Sequence, residues 1–260
     1  MDIVVAIKQV PDTSEVVDVV EIDPSGKDIK KDTLIFKIND WDEYTLEEAL
    51  RLKEKLGGIV TTITVGPSEW DDVLRRALAM GVDRAIRIDE DVTSLDSYAV
   101  AEILSTLISR LPYELVMFGA QSEDLGNGQV GPMVAEMLDI PHATLVVNLQ
   151  LQGKEVRVSR ELEGGVMELY NIILPALLTI QTGINRPRYV SFAGIKKARE
   201  KEIEVVSLDK LGLSGEKLTP KVKLEKLELP PAGKRAEIIS GSTEEAATRL
   251  TMILKNSELF

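Results

Sequence analysis

Ile59-Val-Thr-Thr-Ile-Thr-Val65, the run Gly66-Pro67-Ser68 to Met80, and Gly81 followed by Arg84-Ala-Ile-Arg-Ile88 together decide the fold. They read as a strand, a helix capped by Ser68 and closed by Gly81, and a second strand. Strand, helix and strand in that order make a crossover unit, and such units pair their strands in parallel.

The same alternation extends to both sides. Residues 2–8 are a short β-branched strand. Asp12-Thr-Ser14 is a loop, and Val16–Ile22 is a second extended piece ending in the turn Asp23-Pro-Ser-Gly26. Asn39 or Asp40 caps a helix of about Asp42–Lys55, which Gly57-Gly58 ends; Leu46, Ala49, Leu50 and Leu52 share one side of it. Beyond Ile88, Ser94 or Asp96 opens a helix to about Arg110. Glu114–Phe118 is a strand ending at Gly119, and a helix spans about Gly128–Leu138. Leu145–Gln150, Glu155–Arg160 and Met167–Ile173 follow with no helix between them, which predicts a short antiparallel extension of a mainly parallel α/β sheet. From Asn185-Arg-Pro-Arg188 regularity fades. Pro220, Pro230 and Pro231 punctuate an extended segment, and Ser242 or Thr243 caps a last helix to about Leu254.

Composition narrows the function. The 260 residues are 44% hydrophobic and 28% charged, as in soluble globular chains. Apolar runs such as Ile3–Ile7 are too short to span a bilayer, and at most peripheral membrane association through a complex is expected. With no secretory pattern at the start, the expected compartment is the cytoplasm. The absence of cysteine excludes disulfides, thiolate metal sites and a cysteine nucleophile. A net charge of −12 argues against a nucleic-acid partner. Positive charge gathers at Lys196-Lys197-Ala-Arg199-Glu-Lys201, which read alone is a solvated helix end. His142 is the only histidine and cannot build a metal site or a triad, and Ser122 and Ser159 lack a nucleophile-elbow context. Trp41 and Trp70, near helix starts, are expected in packing. No metal site and no self-contained active site emerges from these residues.

Ligands of open parallel sheets bind beyond the carboxyl ends of the strands. Lys8–Thr13, Asn39–Asp42, Gly66-Pro67 and Gly119–Gly131 fall there. The last, Gly119-Ala-Gln-Ser-Glu-Asp-Leu-Gly-Asn-Gly-Gln-Val-Gly131, has four glycines and runs into a helix N-terminus, where free N–H groups favour phosphate. It matches neither standard phosphate motif, and an ordinary glycine-rich turn fits it equally.

Val158-Ser-Arg-Glu-Leu-Glu-Gly-Gly-Val-Met-Glu168, followed by Leu174-Pro-Ala-Leu-Leu-Thr179, closely resembles the signature of electron-transfer flavoprotein β subunits. Ala6-Ile-Lys-Gln-Val-Pro-Asp-Thr13 is similar to their amino-terminal motif, Asn39–Leu50 to their Asn-capped helix, Gly119–Gly131 to their nucleotide loop, and Arg188-Tyr189 with Lys196-Lys197-Ala198 to a docking segment. The resemblance covers residue 3 to about 205. It implies a Rossmann-like fold of the adenine-nucleotide α-hydrolase type, a flavin-bearing α subunit as partner, and a second nucleotide in the β subunit. That nucleotide is AMP in ordinary carriers and FAD in the bifurcating and Fix-type branch, where it accepts hydride from NADH. By position the nucleotide contacts are Ala6, Asn39, Asp42, Val65, Gln121, Asp124, Asn127, Gly128, Gln129 and Val130, and the docking residues are Phe192, Lys196 and Lys197. Phe192 buried in this chain's own core is the alternative.

Arg160, Glu161 and Glu163 are expected to order a turn and a subunit boundary, or to form a plain surface ion pair. Tyr170 stands where the signature is usually aliphatic. Asp124-Leu-Gly-Asn-Gly-Gln129 departs from the Asp-Gly-Asp-Thr-Ala-Gln common in FAD-binding members, whereas Gln9–Thr13 and Trp41–Tyr44 look like the Fix branch; FAD is expected over AMP. The expected division is a nucleotide-binding domain at 1–190 and a docking segment with an extended arm, embracing the α subunit, at 191–260. The implied function is that of a carrier subunit rather than a self-contained enzyme, passing electrons between a dehydrogenase or NADH and a quinone-linked or low-potential acceptor. Dehydrogenases and quinone-reductase-type proteins are the implied redox partners. The rival is a stand-alone adenine-nucleotide sensor or ATPase on a similar fold.

Overall fold

Ile3–Ala6 (β1) is apolar throughout and buried on both faces, as a strand at the middle of a doubly covered sheet must be. The computed structural model describes residues 1–13, 20–32, 34–213, 218–231, 233 and 236–257. After β1 come the short strands Gln9–Pro11 (β2) and Phe36–Ile38 (β3), then helix Asp40–Leu56 (α1). The crossover units follow as Val60–Val65 (β4), Asp71–Met80 (α2), Arg84–Asp89 (β5), Ser97–Ile108 (α3), Leu115–Gly119 (β6) and Val130–Met137 (α4). His142–Gln152 (β7), Glu155–Glu161 (β8), Met167–Ile173 (β9) and Ala176–Ile180 (β10) come next. Phe192–Glu200 (α5), Ile203–Ser207 (β11), Leu208–Leu211 (α6) and Thr243–Asn256 (α7) complete the elements.

Among the described residues these strands form a nine-stranded sheet in the order β11-β5-β4-β1-β6-β10-β7-β8-β9, with β2 and β3 paired separately. Pairing is parallel from β11 to β7 and antiparallel through β8 and β9. The mainly parallel α/β architecture and its antiparallel extension are thus as expected. The chain moves outward from β1 to β4 and β5, then returns to the other side of β1 with β6. The direction of winding therefore reverses between β1 and β6.

Alternate residues of the central strands feed two cores. Ile3 and Val5 join Leu46 and Leu50 of α1 and Leu74 and Leu78 of α2 on one face. Val4 and Ala6 join Ile103, Leu104 and Leu107 of α3 and Val134 of α4 on the other. The first turn of α1 carries Asp40, Asp42 and Glu43 and its last turn Lys53 and Lys55, complementing the helix dipole. Gly58 must be glycine: its φ is +106°, and a Cβ there would lie 1.9 Å from the Met1 carbonyl oxygen.

Some local expectations change. Ser68 begins a 3₁₀ turn, Ser68–Trp70, and α2 starts only at Asp71 with no side-chain cap. Trp70 folds back so closely on Gly66 that a Cβ there would meet its ring at 2.4 Å, and the tight turn that allows this delays the helix. Beyond residue 185 the chain is more regular than its sequence suggests, with α5, β11 and α6 all formed. The extended piece read at Val16–Ile22 falls largely on residues 14–19, outside those described; the turn after it forms, with the Gly26 N–H donating to the Asp23 carbonyl at 3.0 Å. Residues 1–225 and 226–260 separate into two compact units. The second contains α7, whose Ser242 and Glu245 form a reciprocal capping box. No helix among the described residues is long and apolar enough to cross a membrane.

Candidate functional site

The segments at the carboxyl ends of β1 and β6 meet the start of α1. Asn39 occupies the position before α1 but does not cap it with its side chain. Its Nδ2 donates to the Gln121 carbonyl at 2.8 Å, and its Oδ1 accepts from the Glu123 N–H at 3.0 Å. Asn39 thus clamps the loop after β6. Asp42, in the first turn of α1, is 5% exposed and accepts from the Lys8 N–H at 2.8 Å and the Gly119 N–H at 3.1 Å. Burial pushes its carboxyl up to about 7, although both N–H groups and the Lys8 cation pull the other way.

Lys8, just past β1, reaches across to Asp124 at 2.5 Å and to the Ser122 hydroxyl at 3.5 Å. Sequence reading placed Lys8 in a ligand-facing segment but not among the contacts. The available signal was a lone cation directly after a central apolar strand. Lys37 adds a second tie, to Asp40 at 2.7 Å and Glu123 at 3.4 Å.

The loop itself is mostly exposed from Gln121 to Gln129. Gly126 and Gly128 adopt left-handed φ of +63° and +60°, with open space around Gly126. Asn127 Nδ2 meets the Ser97 hydroxyl at 3.4 Å, and Val130 opens α4. The first N–H groups of α4 have no carbonyl a turn earlier in the helix and are open to an acceptor. Gly131 is required by packing, since a Cβ would lie 2.7 Å from Thr179 Cγ2. Ala6 and Val65 end β1 and β4 and are both buried. The ten residues expected at the nucleotide lie near the carboxyl ends of β1, β4 and β6, Asn39 and Asp42 reaching there from the start of α1.

A helix N-terminus and left-handed glycines beside open space are features that accept a phosphate against backbone, with the Lys8–Asp124 pair at their edge. The residues present fit the phosphate of a ligand lying against this loop.

The expected docking residues lie elsewhere, on α5. Ser191 caps this helix through the Gly194 N–H at 3.0 Å, and Gly194 lets it sit on α2, where a Cβ would lie 2.4 Å from the Ala79 carbonyl oxygen. Ala198 is buried in the resulting contact. Phe192 and Tyr189 are each 94% exposed, and Lys196 and Lys197 are exposed beside them. Phe192 is thus not part of this chain's core.

In the Val158–Glu168 stretch, Arg160 faces Glu168 of β9 at 3.7 Å, and Tyr170 donates to Glu168 at 2.6 Å. Glu163 lies in the turn joining β8 and β9. His142 is exposed at the start of β7, and Trp41 donates to Gln181 at 2.6 Å.

A family model described as the electron transfer flavoprotein domain matches residues 31–211. Over 258 residues, 98% of each chain, the sequence is 39% identical to the electron transfer flavoprotein subunit beta of Bacillus subtilis. It is 35% identical to the protein of the same name in Mus musculus over 253 residues, 95% of each chain. It is 33% identical to protein FixA of Azotobacter vinelandii over 252 residues, 92% of this chain and 88% of that one.

Proposed function

The chain belongs to the electron transfer flavoprotein family, and on that premise we propose that it is the β subunit of a heterodimer and holds FAD in the crevice between β1 and β6. The observation that carries this reading is the convergence of Lys8, Asn39, Asp42 and the Gly119–Val130 loop at the reversal point of the sheet, where open α/β folds take their ligands. Asn127, Gly128, Gln129 and Val130 would meet phosphate, chiefly by backbone N–H. Ala6 and Val65 would line the adenosine, and Gln121 and Asp124 would border it.

When bound, FAD supplies the electron exchange. The chain's residues bind it and orient it. Electrons would pass between a dehydrogenase or NADH and a quinone-linked or low-potential acceptor. Phe192, with Lys196 and Lys197, suits a docking anchor ringed by charge, because an aromatic at 94% exposure gains most by being covered. The segment from Lys226 onward suits the α subunit: α7 buries none of its residues and exposes Leu250, Met252 and Ile253. The likeness of Gln9–Thr13 and Trp41–Tyr44 to the Fix branch favours FAD over AMP.

The test is to co-express the chain with an α-subunit gene from the same genome, denature the purified complex and quantify the released nucleotides. Two FAD per heterodimer are expected. One FAD with one AMP would overturn the choice of FAD, and a chain that purifies as a nucleotide-free monomer would overturn the reading as a whole.

A further inference from the structure

Between β1 and β6 the sheet opens early. Their paired residues run from Ile3 and Leu115 to Val5 and Met117 and stop. On its other side β1 continues with β4 to Ala6 and Ile63, and the Ile7 N–H still donates to the Ile63 carbonyl at 2.9 Å. Likewise β6 continues with β10 to Gly119 and Ile180, and the Ala120 N–H donates to the Ile180 carbonyl at 2.9 Å. Of the three seams that β1 and β6 make, the sheet therefore splits early along the one between them, which forms the crevice.

Asp42 stands in that split. Its Oδ2 takes the N–H of Lys8 and its Oδ1 the N–H of Gly119, so a carboxylate replaces the ladder bonds that would otherwise join the two strands. Gly119 is cut to fit, because a Cβ there would lie 2.3 Å from Asp42 Oδ1 and 2.7 Å from Trp41 Cβ. Each carboxylate oxygen is engaged by backbone, and the side chain is 5% exposed. Such a group has little left to offer a ligand.

We propose that Asp42 is a positioning residue of the nucleotide site: its carboxylate bridges the diverging ends of β1 and β6 and sets the width of the crevice between Lys8 and the Gly119–Val130 loop. The proposal rests on the nucleotide-binding reading above and assigns Asp42 to the frame of the site rather than to its contacts. Burial that raises the carboxyl towards neutrality agrees with it, since a charge held in the interior against that cost is commonly tied to function.

The experiment compares the full-length chain with Asp42→Asn, which keeps the size and one acceptor oxygen but loses the second. Amide exchange is followed residue by residue by NMR, and FAD and AMP are titrated by calorimetry. In the nucleotide-free variant the Lys8 or Gly119 amide should exchange about tenfold faster, with amides of β5 and β11 unchanged. Nucleotide affinity should fall about tenfold, the equivalent of one lost charge-assisted hydrogen bond. Weaker binding with both amides still protected would make Asp42 a direct contact and overturn the proposal. Freed amides with unchanged affinity would make it a structural brace and overturn it equally. If the variant does not fold, the wild-type chain decides: the Lys8 and Gly119 amides should stay protected when nucleotide is added, and their release would show Asp42 turning to the ligand. If the wild type binds neither nucleotide, alone or in the co-purified complex, the functional reading fails as well, a result distinct from the others.

Discussion

Asp42 and Glu47 lie five residues apart on α1 and answer burial in opposite ways. Burial raises Asp42 from 3.8 to about 7, so between about pH 4 and 7 the folded chain holds a proton that the unfolded chain has lost. Stability from this group therefore falls as pH rises through that window; the cost is absent below about pH 4 and complete above about 7. The unfolding free energy of the wild type relative to Asp42→Asn should decline by up to about 1.4 kcal/mol per pH unit across the window, measured by urea titration at several pH values. A pH-independent difference would contradict the burial of a titrating carboxyl. Burial would also raise Glu47, which is 4% exposed, but Arg188 and Arg51 outweigh it and hold its carboxyl below the usual range. Arg188 donates Nε to Glu47 at 2.7 Å, and Arg51 donates at 3.0 Å. That contribution is present above the ordinary carboxylate range and lost as pH falls below it. Arg188→Ala should cost about 2 kcal/mol at pH 7, leaving Glu47 buried on Arg51 and the backbone N–H of residue 188, and the deficit should shrink in acid.

Elements were legible where their pattern is local. β1, α1, β4, β5, β6 and the three antiparallel strands show in runs of apolar and β-branched residues closed by glycine, and their observed limits differ from the expected ones by a few residues. β11 was missed because its partner β5 lies over a hundred residues earlier and its own sequence, Ile203-Glu-Val-Val-Ser207, is a half-exposed edge. β2 and β3 are three residues each and exist only through one another. Asp96 shows how one side chain joins distant elements. It caps α3 through the Ala99 N–H at 2.9 Å and also accepts from the N–H groups of Lys221 at 2.6 Å and Val222 at 2.9 Å. Asp96→Asn keeps an oxygen for the cap but lacks the acceptors to hold both neighbours of the later segment. Trypsin should then cleave after Lys221 or Lys223 several-fold faster with α3 intact by circular dichroism, and unchanged cleavage would show the clasp to be idle.

At the scale of the molecule, stability belongs to residues 1–225. Among the described residues the last buried apolar side chain is Leu213, and residues 226–260 separate as their own unit. A chain ending at Glu225 should melt within about 3 °C of the full chain, a shift matching less than about 1 kcal/mol for this size. Under the proposed function the same truncation should abolish co-purification of the α subunit. A truncated chain that unfolds would show that the last segment contributes to the core, and one that still retains its partner would place the subunit contact elsewhere.

The order of strands and helices, the parallel character of the sheet and the ligand-facing position of the Gly119–Gly131 loop could be read from the sequence alone, because each follows from periodicity, capping and turn chemistry within a few residues. Resemblance in scattered motifs added the family. The carboxylate wedge at Asp42, the Lys8–Asp124 pair, the Asn39 clamp and the exposure of Phe192 could not be read, because each depends on segments tens to more than a hundred residues apart being brought within about 3 Å, or on what a neighbouring helix leaves uncovered. Only the folded sheet, by parting at one seam, decided which polar residues spend their hydrogen bonds on backbone and which remain free to meet a ligand.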